Sequence, residues 1–145
     1  MAEIKISELS IGDWVEMGGK NFQIYHLTLA GDVYGYRRTN DSDTGEEYYD
    51  GEIGDVYPIP LTPEILKKSG WECIAVGDNG PATPKEHYNR YEKWRCETKW
   101  GYRDLFFDRM TKRWRLSGMN CTTFTELHKL QHALRISGFE KEIEL

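Results

Sequence analysis

Four histidines, three cysteines and two clusters of charge are the groups in this 145-residue chain whose types and spacing could do chemistry. His128 and His132 stand four apart in a helical stretch, close enough for two imidazoles to share a metal. At 100° per residue they fall at about 100° and 140° from Leu127, on the flank of the apolar stripe. Lys129 follows His128 where a zincin helix needs Glu, and two ligands are too few for a site. The expectation is a solvated or partly packed histidine pair and no metal. Cys73, Cys96 and Cys121 lie 23 and 25 residues apart, which fits no zinc finger or ribbon. Such an odd, sparse set suits reduced thiols, and Cys73 and Cys96 read as small core residues in β-prone runs. The loop Asp41-Ser42-Asp43-Thr44-Gly45-Glu46-Glu47 lacks the third ligand and the sixth-place Gly of an EF-hand. It reads as a solvated acidic loop, with weak cation binding as the alternative. No P-loop, no G-x-G-x-x-G and no G-x-S-x-G occurs, so no catalytic residue is assigned and no cofactor is implied.

The sharpest feature is a window of basic and aromatic residues. Residues 1–84 carry 6 basic and 15 acidic side chains, and residues 85–115 carry 10 and 5, within a chain of net charge −5. The basic window also holds 8 of the 19 aromatics. Bases stack on aromatic faces and phosphates pair with Arg and Lys, so this is the composition of a nucleic-acid-binding sheet. Strand parity argues against that use. Within 98–107, Trp100, Tyr102 and Phe106 share one face, while Lys99, Arg103, Leu105 and Phe107 share the other. Trp114 and Leu116 likewise oppose Arg113 and Arg115. That pattern predicts aromatics turned inward against a helix and basics turned outward. The candidate partner-binding residues are therefore Arg90, Lys93, Arg95, Lys99, Arg103, Arg113 and Arg115. An acidic partner, or the acidic first 84 residues of the same or a second chain, could meet them.

The elements that must position these groups follow from local signals. Two β-prone runs flank Gly18-Gly19 and predict a hairpin, with Phe22, Ile24 and His26 on one face of its return strand. A second hairpin is expected over Leu29 to Arg37, and Thr39 to Asp55 reads as a long polar loop. Val56 to Leu61 is extended, and its prolines confine it to an edge or a connector. Thr62-Pro63-Glu64 starts a helix over about 63–69 that Gly70 stops, with Trp71 folded back on Leu66. Antiparallel strands are expected within about 71–117. Thr123-x-x-Glu126 reads as the capping box of a helix over about 124–137. Phe124, Leu127, Leu130 and Leu134 form its apolar stripe, Gly138 ends it, and 139–145 reads as a final strand.

Three stretches resemble an uncharacterised family of small proteins from gut Bacteroidales genomes and their phages and prophages. They are Leu9-Ser10-Ile11-Gly12-Asp13-Trp14-Val15, Tyr57-Pro58-Ile59-Pro60-Leu61-Thr62-Pro63-Glu64-Ile65-Leu66 with Gly70-Trp71, and Leu127-His128-Lys129-Leu130-Gln131-His132-Ala133-Leu134 with Gly138. The resemblance implies an SH3-like barrel at the N-terminus and a mobile-element setting. It carries over no catalytic residue.

The expected fold class is α+β: an SH3-like β-barrel over 1–60, then an α+β unit over 61–145 with an antiparallel sheet packed by two helices. No apolar run reaches the 18 residues of a membrane span and no signal peptide opens the chain, so a cytoplasmic location is expected. The expected function is a non-enzymatic macromolecular interaction module whose partner is a host or phage protein. Nucleic-acid binding through strands 85–115 is the alternative, with a small-ligand binder or enzyme as a further one. A homodimer stays open.

Overall fold

Gly18 and Gly19 take φ of +59° and +80° and turn β1 (Trp14–Met17) directly into β2 (Lys20–Leu27). Two successive positive φ values make the two-residue turn whose twist matches the flanking strands, and glycine reaches them without strain. The computed structural model describes residues 4–40, 43–77, 90–99, 101–118, 122–139 and 142–145. Trp100, Cys121, His87 and the start of the acidic loop lie outside them. The described residues form two antiparallel sheets and two helices, an α+β arrangement. The chain divides into two compact units, Met1–Pro60 with Glu126–His128, and Leu61–Thr125 with Lys129–Leu145.

In the first unit β3 (Asp32–Arg38), β4 (Glu46–Glu52) and β5 (Val56–Tyr57) complete a sheet in the order β4-β3-β2-β1-β5. This sheet is not closed, since β4 and β5 stand at opposite ends of the ladder. Val15, Met17, Phe22, Ile24, Val33 and Val56 point to one side and pack with Ile4 and Leu9 into a core. Each such side chain stabilises the fold by roughly 1.5–3 kcal/mol when removed from water. Two expectations fail here. β4 occupies most of the stretch read as a loop and pairs with β3 over seven residues, from Asp32↔Glu52 to Arg38↔Glu46. Its acidic composition disfavours a strand locally, but alternate residues Glu47, Tyr49 and Gly51 are half-buried and cross-strand contacts prevail. His26 leaves the face of Phe22 and Ile24, because a bulge between Ile24 and His26 shifts the register by one residue and exposes it.

The second unit starts as its caps predict. Thr62 accepts from the Ile65 amide through Oγ1, Pro63 opens α1 (Pro63–Lys68), and Gly70 at φ +88° returns Trp71 so that its amide donates to the Leu66 carbonyl. β6 (Glu72–Gly77), β7 (Tyr91–Thr98), β8 (Gly101–Asp108) and β9 (Arg113–Leu116) form a second sheet in sequence order. The last helix is α2 (Leu127–Ile136), ended by Gly138 with the Phe139 amide on the Leu134 carbonyl. It begins later than the capping box implied. Phe124 exchanges both backbone hydrogen bonds with Trp114, and Thr123 binds Arg113, so those residues extend the sheet instead of capping a helix. The tail is not a strand over 142–145. Ile143 is buried, and Ser69 Oγ accepts from the Glu144 amide and donates to its carbonyl, which ties the tail to the end of α1.

Gly35 of β3 is where the first sheet is least tolerant. A Cβ built there would collide with Met17 Cε and stand 2.7 Å from Phe22 Cβ. Gly35→Ala is expected to lower stability by about 1–3 kcal/mol through overpacking. A urea titration with a lower midpoint and unchanged slope would show it.

Candidate functional site

The basic window folds as β7, β8 and β9, and the registers between them decide what its cations do. Tyr91↔Asp108, Lys93↔Phe106, Arg95↔Asp104 and Glu97↔Tyr102 pair across β7 and β8, and Phe106↔Arg115 and Asp108↔Arg113 across β8 and β9. The opposite face carries Trp94, Cys96, Leu105, Trp114 and Leu116, all buried. So Tyr102 and Phe106 lie on the outer face with Lys93, Arg95, Arg113 and Arg115. This reverses the expected inward placement of those two aromatics. Parity within a single strand was right, but Leu105 and Phe107, not Tyr102 and Phe106, take the inward side. Aromatic and cation meet directly: the Arg95 guanidinium stands 4.0 Å from the Tyr102 ring centre and that of Arg115 5.0 Å from Phe106.

Carboxylates of the same sheet hold Arg90, Lys93 and Arg95. Arg95 donates from Nε and Nη2 to the two oxygens of Asp104 at 2.7 and 3.1 Å, and Lys93 Nζ lies 3.7 Å from Asp104. Arg90 grips Asp108 in the same two-pronged way at 2.9 and 2.8 Å. Arg109 reaches Glu92 at 2.9 Å. Arg113 donates to the hydroxyl and carbonyl of Thr123. Arg103 turns to the inner side, where it donates to the Ser137 carbonyl and lies over Phe139. Lys99 is exposed in the turn after β7. The outer face thus carries Arg90, Lys93, Arg95, Arg113 and Arg115 against Glu72, Glu97, Asp104 and Asp108, an excess of one positive charge. A cleft of about 360 Å³ between Tyr91, Phe106, Arg113, Arg115 and Thr123 interrupts it.

The other candidate groups are dispersed. His128 is buried at 1% exposure, His132 is half-buried, and among the described residues no three His, Cys, Asp or Glu side chains are placed to hold a metal ion. Cys96 is buried as expected, but Cys73 is exposed, because β6 is an edge strand with both of its faces largely in solvent. Of the acidic loop, Glu46 and Glu47 belong to β4: Glu47 pairs with Lys20 and Arg37, and Glu46 accepts from the Tyr48 hydroxyl.

A second surface had no counterpart among the expectations. On the outer face of the first sheet Tyr25, Tyr34, Tyr36 and Tyr48 form a connected array. Ring centres lie 6.1 Å apart for Tyr25–Tyr34, 5.8 Å for Tyr25–Tyr48 and 5.4 Å for Tyr36–Tyr48. Tyr25 is 45% and Tyr48 57% exposed, so the array is no part of the core. Its position follows from pairing: Tyr34↔Asp50 and Tyr36↔Tyr48 set β3 and β4 side by side, and the β2 bulge brings Tyr25 onto the same side. Asp32, Glu46, Asp50 and Glu52 share this face by strand alternation, and Asp32, Tyr34, Asp50, Glu52 and Asp55 line a shallow cleft on it of about 320 Å³. Arg38 is the cation at its end, donating to the Tyr36 hydroxyl at 3.3 Å. The alternation Glu46-x-Tyr48-x-Asp50-x-Glu52 was the available signal, hidden once the stretch was taken for a loop.

No protein-family model, no curated protein and no solved structure matches this chain. No helix among the described residues is long and apolar enough to cross a membrane.

The ion pairs of β8 have a pH signature. The Arg95 hydrogen bond holds Asp104 below the usual carboxylate range, and that of Arg90 brings Asp108 down to about 2. A carboxyl group depressed in the folded state contributes stability that is present above its unfolded pKa and is lost as pH falls through the folded value. Stability of the second unit is expected to decline from about pH 5 towards pH 2, less steeply in Asp108→Asn. Thermal melts of both proteins across that range would check this.

Proposed function

We propose that this protein is a non-enzymatic interaction module that binds a protein partner through the tyrosine face of its first sheet. The observation that carries the proposal is the contiguous array of Tyr25, Tyr34, Tyr36 and Tyr48, in which Tyr25 and Tyr48 are exposed and Tyr34 and Tyr36 half-buried. Tyrosine offers large contact area at low ordering cost and is enriched where interfaces concentrate their binding energy. The family resemblance adds a setting, an accessory protein of a phage or mobile element acting in the cytoplasm. It also supports an SH3-like first unit: a five-strand meander that returns its last strand beside its first, through a single 3-10 turn at Ile53–Asp55, has the strand order of that fold.

Nucleic-acid binding is the second reading, favoured by Tyr102 and Phe106 lying among cations on the second sheet. The small net charge of that face, one positive, weighs against it, since nucleic-acid interfaces carry a marked positive excess. Affinity capture from a host or phage-infected extract, with wild type and a Tyr25→Ser/Tyr48→Ser variant of unchanged circular dichroism, tests the first. A protein retained by the wild type and lost by the variant is expected, and equal recovery overturns the proposal. Binding of single-stranded oligonucleotides that weakens steeply with salt would favour the second reading instead.

A further inference from the structure

We infer that the segment received by the tyrosine face is basic, an extended stretch of the partner bearing Arg or Lys side chains, an inference that rests on the assignment of this face to partner binding. Two properties of the face converge on a cation. Aromatic rings attract guanidinium and ammonium groups through their electron-rich faces, and the array offers four rings within one patch. The charges alternating with them are carboxylates: Asp32 on β3, and Glu46, Asp50 and Glu52 on β4, all with Tyr34, Tyr36 or Tyr48 as neighbours on the same side. Arg38 is the opposing charge at the edge of the array. A cation lying over Tyr34 therefore has Asp32, Asp50 and Glu52 around it, in the cleft that Asp55 also lines. A polyanion would meet repulsion at each of these positions, and a purely apolar segment would strip water from carboxylates without pairing them. The strand geometry suits an extended occupant, because residues two apart on such a segment recur about every 6.4–6.8 Å, the same repeat that separates Asp50 from Glu52 on β4.

A second copy of this chain is a poor occupant. Several of its own cations are committed within the second sheet: Arg90 to Asp108, Lys93 and Arg95 to Asp104, and Arg109 to Glu92. Drawing them onto another copy would break charge-assisted hydrogen bonds to form equivalent ones. A foreign segment, whose cations are hydrated but unpaired before binding, gains more.

The test uses the full chain and three synthetic octapeptides, of arginine, of glutamate and of alternating glycine and serine, titrated by calorimetry at several salt concentrations. The arginine peptide is expected to bind and the other two not. A Tyr34→Leu/Tyr48→Leu variant, which keeps the net charge, is expected to bind it about 5–20-fold more weakly, since each ring contributes roughly a 2–5-fold gain at an exposed site. Asp50→Asn/Glu52→Gln is expected to weaken binding and flatten its salt dependence. Circular dichroism confirms that each variant is folded. Unchanged affinity in the tyrosine variant means that bulk charge alone draws the peptide, and overturns the inference. Absence of arginine-peptide binding, alongside capture of a partner that still depends on Tyr25 and Tyr48, overturns the basic character of the partner and leaves the binding face standing. Absence of both removes the face as well.

Discussion

The pairing of β7 with β8 puts Arg95 opposite Asp104, and much of what this molecule can do follows from that one register. A shift by one residue would place Asp104 among the buried side chains of Trp94 and Leu105, where a carboxylate is very costly without a cation. With the register as it is, Asp104 binds Arg95 and Lys93 at once, and Asp108 binds Arg90 a few residues on. These cations are thereby fixed in place, some over aromatic rings, and much of their charge is offset within the sheet. A segment that looks like an electrostatic landing strip in the sequence becomes an internally compensated surface.

That compensation shifts attention to the first unit. On the outer face of β3 and β4, Arg38 donates to the Tyr36 hydroxyl, Glu46 accepts from the Tyr48 hydroxyl and Asp32 from the Thr28 hydroxyl. Beneath it the inner face is packed without slack: Gly35 lets Phe22 and Met17 close over β3, and Tyr49 lies against Phe22 at 5.5 Å. The rigid inner side gives the tyrosines a firm base, so little conformational freedom is lost when they meet a partner.

Signals confined to a few residues were legible in the sequence. Thr62, Pro63 and Gly70 bound α1, Gly18-Gly19 turns the first hairpin, and Gly138 ends α2, because each solves a local backbone problem that few residue types can solve. What was hidden depends on partners distant in sequence. β4 is acidic and weak as an isolated strand, and forms because β3 offers seven matching positions. Thr123 and Glu126 satisfy a capping pattern, yet Arg113 and the Trp114 backbone compete for that stretch and prevail. His26 changes face because of one inserted residue that no alternation rule reveals. The basic face was visible as composition, but its neutralisation needed the cross-strand register. The tyrosine face stayed hidden because one of its three strands had been taken for a loop.

The alternation of β4 has one more effect. It is the outermost strand of its sheet, with a row of backbone groups facing away from β3. A tyrosine-rich edge of that kind would ordinarily recruit its own copies into a growing ladder. Glu46, Asp50 and Glu52 work against it, because two such edges brought together would crowd like charges at the junction. The residues that shape the outer face thus also lay a row of like charge along the edge of the sheet.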